Sequence, residues 1–181
     1  MKKKESRIVV YCIGFIIIIS VWLILYAGEL SAFNLLKTAL LLLLSYIAMA
    51  FDINTKRIPN TLVLTMIAGW LLMILPIVIT ETEYGLRLML DSTYGMLTGG
   101  GLFMLVYLIS SKGLGGGDVK FMAAAGLYLG FAKTIPAILY ATVLAAIVGV
   151  ILILIKKIGR KDTIPLVPFL FAGIVITIFV Q

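Results

Sequence analysis

Apolar residues along this chain fall in long uninterrupted runs, and the charged residues are confined to the gaps between them. Five charge-free intervals have the length of a membrane-crossing helix: Ile8 to Gly28, Ile58 to Thr80, Ser92 to Ser111, Thr134 to Ile155 and Thr163 to Gln181. Two further stretches, Thr38 to Phe51 and Phe121 to Ala132, are shorter. At the helical rise they reach about 21 Å and about 18 Å against roughly 30 Å of hydrocarbon, so each must recruit flanking residues to cross. The first runs into Asp52, and the second is preceded by Asp118 and Lys120. The pattern predicts an all-α protein, a polytopic membrane helical bundle of about seven transmembrane helices. It forms a single membrane domain over residues 1–181, with an N-terminal helix within 1–30 ahead of a six-helix core over 34–181.

The opening Met-Lys-Lys-Lys followed by an apolar run imitates a signal peptide. The run from Ile8 to Gly28 is nevertheless of span length and lacks a small-x-small cleavage site, so it reads as a retained helix. With the N-terminus inside, twelve basic residues fall on the cytoplasmic side: Lys2, Lys3, Lys4, Arg7, Lys56, Arg57, Lys112, Lys120, Lys156, Lys157, Arg160 and Lys161. Lys37, Arg87 and Lys133 fall outside. Such asymmetry is what the positive-inside bias demands, and dropping either short span would scramble it. Because two full spans separate Asp52 from Asp118, both carboxylates face the same boundary, the cytoplasmic one in this orientation.

Connections are short, the longest running from about Glu81 to Asp91. Small residues gather at Gly95, Gly99, Gly100 and Gly101, at Ala123 to Gly126, and at Gly130, where they permit close helix packing.

Composition narrows the chemistry. Hydrophobic residues make up 62% of the chain and charged ones 13%, which excludes an ordinary soluble domain. The net charge of +7 lies in short clusters beside apolar runs, where it meets anionic headgroups, so the bilayer and not nucleic acid is the expected partner. One cysteine, Cys12, allows neither a disulfide framework nor a Cys-x-x-Cys zinc site within the chain. Histidine is absent, which removes the commonest metal ligand and general base. No metal and no cofactor are expected. Catalysis here must use carboxylates, lysine or hydroxyls.

The segment Lys112-Gly-Leu-Gly-Gly-Gly-Asp-Val-Lys120 carries the sharpest signal. Its glycines leave bare backbone directly before a carboxylate that opens a helix, so a substrate backbone can approach closely. A phosphate loop is ruled out by the missing Gly-Lys-Ser/Thr ending. The bland alternative is a flexible turn followed by an aspartate that favours the helix dipole. The second segment, Phe51-Asp-Ile-Asn-Thr-Lys-Arg-Ile-Pro-Asn60, places Pro59 in the first turn of the next helix, with Asn60 or Thr61 as caps. Two carboxylates held close cannot both ionise easily. One then activates water while its protonated partner polarises a carbonyl and later protonates the leaving amine, the chemistry of aspartyl peptide hydrolysis. Lys120, about 200° around the helix from Asp118, is expected to point away and anchor at headgroups.

Gly115-Gly116-Gly117-Asp118 resembles the Gly-x-Gly-Asp motif of membrane aspartyl peptidases, and Gly-Asp-Val-Lys-Phe-Met-Ala-Ala-Ala-Gly is similar to its prepilin peptidase version. Asp52 followed by Ile58-Pro59-Asn60 resembles the first aspartate of that family with its downstream Ile/Leu-Pro-Asn/Asp. Ile164-Pro-Leu-Val-Pro-Phe169 resembles its C-terminal Ile-Pro-Phe-Gly-Pro segment, with Leu166-Val167 in place of Phe-Gly. The resemblance implies a peptidase core over 34–181 in the cell's inner or plasma membrane, with its active site at the cytoplasmic face. It would remove short basic leaders from type IV prepilins or pseudopilins and serve a pilus or type II-like secretion machinery. Asp52 and Asp118 would be the catalytic pair, and Gly115, Gly116, Gly117, Pro59, Asn60, Pro165 and Pro168 would contact substrate. Larger members carry a Cys-x-x-Cys region ahead of the first aspartate that accompanies N-methylation. Only one helix precedes it here, and a peptidase without zinc is expected.

Two other readings compete. A presenilin or signal peptide peptidase relative would show Tyr-Asp, where this chain has Phe51-Asp52, together with a Pro-Ala-Leu segment. A small proton- or cation-coupled transporter would hold its aspartates near the membrane midplane, in inverted repeats.

Overall fold

The structure, a computed structural model, describes residues 31–110, 114–157, 159 and 164–180, together with Gly14 and Ile19. Apart from those two residues, the first expected span, Ile8 to Gly28, lies outside the described residues. Among those described there are five helices and no strand: α1 (Ala32–Thr55), α2 (Asn60–Thr80), α3 (Thr82–Ile109), α4 (Gly116–Leu154) and α5 (Val167–Val180). The first four are long and apolar enough to cross a membrane, and α5 is a shorter apolar helix.

Helix α1 extends the short apolar stretch at both ends, as its length required. Ser31 caps it, accepting the Asn34 N–H at 3.4 Å. It closes with Lys56 in the left-handed conformation (φ 52°), whose N–H donates to the Asp52 carbonyl at 2.8 Å. Its 24 residues span about 36 Å. Lys37 and Asp52 are thereby brought into the helix near its opposite ends. Pro59 is the N-cap of α2 and no side chain caps that helix, so Asn60 and Thr61 do not act as the sequence suggested. The Thr61 carbonyl instead accepts from the Thr65 hydroxyl, at 2.9 Å.

The expected loop from Glu81 to Asp91 is helical, because α3 begins at Thr82. Charges interrupt a hydrophobic run without interrupting a helix, and Glu83 and Arg87 sit one turn apart at 4.0 Å, both highly exposed.

The 39 residues of α4 are not one rod. Gly130 breaks it, with φ 73° and ψ 176°, a conformation that essentially only glycine tolerates. A methyl group on Gly99 of α3 would lie 2.6 Å from the Met122 carbonyl oxygen and 3.3 Å from Thr134 Cγ2. Twelve residues of straight helix would separate Met122 from Thr134 by about 18 Å. The chain therefore doubles back at Gly130, and both limbs, 116–129 and 131–154, pack on α3. The break comes two residues before the boundary expected at Ala132. Asp91 of α3 explains its place: its Oδ1 accepts the Phe131 N–H at 3.1 Å and caps the returning limb, while Oδ2 occupies the space where a Gly130 side chain would stand.

With lipid outside, packing rather than hydrophobic burial holds such helices together. Gly95 and Gly126 meet backbone to backbone, which gives the close approach of α3 and α4 that the small residues suggested, whereas Gly101 faces open space. Gly173 of α5 packs on Ala137 and Ala141 in the same manner. Between α4 and α2, the buried Tyr128 hydroxyl donates to the Met66 carbonyl at 2.6 Å. Leu72, Ile79 and Ile109 are among the large apolar side chains that point outward, as a lipid-facing surface requires.

Candidate active site

Four helix ends meet at one place: the C-terminal end of α1 and the N-terminal ends of α2, α4 and α5. Asp52 comes from the last turn of α1 and Asp118 from the first turn of α4. Both line one open pocket of about 280 Å³. They are near enough for the Asp52 charge to act on Asp118.

Each carboxylate is oriented by a backbone amide. Asp52 is buried, at 6% exposure, and its Oδ2 accepts the Val167 N–H at 3.0 Å. That amide opens α5, so the positive end of one helix offsets the unfavourable position of Asp52 at the negative end of its own. Asp118 Oδ2 accepts the Gly115 N–H at 3.1 Å, and the Gly115 carbonyl accepts the Asp118 N–H at 3.0 Å. This reciprocal cap starts α4 and holds the carboxylate at the pocket edge.

Gly115, Gly116, Gly117 and Asn60 line the pocket with the two aspartates. A methyl group on Gly117 would lie 3.3 Å from Ile58 Cβ, whereas one on Gly116 would meet nothing. Pro59 sits just outside the lining as the start of α2. Pro165 and Pro168 do not line the pocket. They flank Leu166 and Val167, and Pro168 occupies the first turn of α5, where a missing N–H costs nothing.

Basic residues are the addition that sequence reasoning missed. Lys56, Arg57 and Lys120 line the same pocket, three cations beside two acids. Lys120 does not point away: its ammonium donates to Asn60 Oδ1 at 3.0 Å and ties α4 to α2. The flexible side chain overrides the 200° offset of its Cα. The Val167 amide was also missed, although a proline in a helix's first turn is a readable sign of exposed N–H groups. Among the described residues no three His, Cys, Asp or Glu side chains gather as a metal site.

The arrangement gathers two carboxylates, bare glycine backbone and three cations around one pocket. Fold and site define a multi-pass helical membrane protein with paired acids at one end of its helices.

The sequence model of the type IV leader peptidase family matches residues 38–150, and the chain belongs to that family. It is 30% identical over 123 residues to the prepilin leader peptidase/N-methyltransferase of Escherichia coli (strain K12), covering 65% of this chain and 50% of that protein. To the protein of the same name from Bacillus subtilis (strain 168) it is 33% identical over 88 residues, 46% of this chain and 36% of the relative. The matches thus span half or less of these relatives' length. No solved structure matches the chain. Asp52 and Asp118 both fall inside the residues matched by the family, whereas Pro165 and Pro168 fall beyond them.

Proposed function

We propose that this chain is an aspartyl endopeptidase that removes the short basic leader from type IV prepilin-like proteins at the cytoplasmic boundary of the cell's inner or plasma membrane. The observation that supports it best is that Asp52 and Asp118, from helices remote in sequence, open onto one glycine-walled pocket. One aspartate, ionised, takes a proton from water as the water oxygen bonds to the scissile carbonyl carbon. The other, protonated, polarises the carbonyl oxygen through a hydrogen bond and keeps its proton until the C–N bond breaks, when it passes that proton to the leaving nitrogen; the two aspartates, still sharing one proton, have then exchanged roles. Backbone donors hold both carboxylates in place, Val167 for Asp52 and Gly115 for Asp118.

The position of the pocket at the helix ends favours this reading over a transporter, whose coupling site belongs near the midplane. Substrate would enter as a helix with its leader outside the bilayer, the leader's basic residues lying against headgroups and not between Lys56, Arg57 and Lys120. The partners are then prepilins or pseudopilins and the pilus or type II-like secretion machinery they build.

Co-expression with a prepilin tests this. Asp52→Asn and Asp118→Asn should each abolish leader removal while the protein still inserts and purifies. Cleavage that persists in either variant would refute the pair.

A further inference from the structure

A second cavity, of about 340 Å³, opens at the other end of the helices, between the start of α1, the turn of α4 and the end of α5. Fifteen residues, or about 22 Å of helix, separate Lys37 in its wall from Asp52. The charged residues of this cavity are Lys37, Lys133 and Asp91. Both lysines are half-buried. Their charges act on one another, and neither is in an ion pair among the described residues.

Asp91 offsets one of them, since its charge acts on Lys37. Its Oδ1 is engaged by the Phe131 N–H, and its Oδ2 is packed against Gly130. The Lys37 ammonium stands 5.7 Å from the centroid of the Phe33 ring, a contact that orients a cation without neutralising it. Asn34 and Thr38 add polar groups on the same face of α1. Two cations against one acid around a partly dehydrated cavity leave an excess of positive charge that suits an anion.

We infer that this cavity binds a phosphate group at the membrane boundary, with Lys37 and Lys133 as its ligands. Lysine serves as a point charge for phosphate, and the two ammonium groups would pair with separate oxygens. The phosphate comes either from the headgroup of an anionic phospholipid or from solution. Leu41, Leu129 and Ile178 supply an apolar wall suited to the glycerol and first methylenes of a lipid. The inference stands apart from peptide cleavage, since it concerns the opposite end of the bundle.

The purified full chain, stripped of lipid, is offered phosphatidylglycerol or diacylglycerol with the same tails, and retained lipid is counted by native mass spectrometry. Inorganic phosphate is titrated separately, with thermal unfolding as the readout. Phosphatidylglycerol should be retained at least tenfold better than diacylglycerol, and Lys37→Gln with Lys133→Gln should remove that preference, since each interfacial lysine contributes roughly fivefold. Stabilisation by millimolar inorganic phosphate without lipid preference would assign the site to a soluble source. Lys37→Arg with Lys133→Arg keeps both charges and must keep binding, which separates lost charge from lost folding. Equal retention of the two lipids with no phosphate-dependent shift, or undiminished binding in the glutamine variant, would overturn the inference.

Discussion

The Val167 amide and the Asp52 carboxylate, 115 positions apart in the chain, are joined by a buried hydrogen bond of 3.0 Å. It fastens the start of α5 to the end of α1 and fixes one of the two acids that face the pocket. A hydrogen bond to a charged group contributes roughly 1.5–3 kcal/mol. A backbone donor also cannot be removed by changing a side chain, save by proline.

Val167→Pro should therefore lower leader cleavage by about ten- to a hundredfold. Val167→Ala keeps the N–H and should retain most of the activity despite the smaller side chain. Initial rates per mole of monodisperse protein decide the matter. Equal losses in the two variants would mean that packing around Val167, and not its amide, is what counts.

Gly130 and Asp91 form the second tested relationship. Any side chain at Gly130 meets both a positive φ and the Asp91 carboxylate. Gly130→Ala should cost at least about 1–3 kcal/mol, seen as a lower unfolding temperature in detergent. Asp91→Ala, which loses the cap of the returning limb, should cost about 0.5–2 kcal/mol.

Neighbouring glycines of the pocket should differ in the same assay. Gly117→Ala presses on Ile58, whose Cβ would be 3.3 Å away, and should destabilise by about 1–3 kcal/mol. Gly116→Ala meets open space and should leave the unfolding temperature within about a degree, since the strain of overpacking is missing. Ile58→Gly, which removes the Cβ that the new methyl meets, should recover part of the added loss in the Gly117 variant.

The Lys120 to Asn60 bond predicts coupling between α2 and α4. Lys120→Met and Asn60→Ala should each reduce cleavage about two- to fivefold, the modest effect expected of an exposed pair. The double variant should be no worse than the more damaging single one. Independent, multiplying losses would show that the two side chains serve separate purposes.

Much of this protein was readable from its residues alone. The apolar runs announced helices, because in lipid a backbone must satisfy its own hydrogen bonds. The spacing of Asp52 and Asp118, with two spans between them, by itself puts both acids at one end of those helices. Gly115 to Gly117 and Asn60 were picked out by bare backbone and by motif, and they do line the pocket.

Three-dimensional packing decided the rest. Only the fold carries α5 to Asp52, making the Val167 amide its partner across 115 residues. Only the approach of Asp91 from α3 selects Gly130 as the point where α4 turns back. Lys120, assigned to the headgroups by helical periodicity, is drawn to Asn60 by a side chain long enough to defeat its register. Hydropathy and spacing act along the chain and can be summed from the sequence. A carboxylate's donor, a cap from another helix and a lysine's partner depend on which elements become neighbours, and packing between helices settles that.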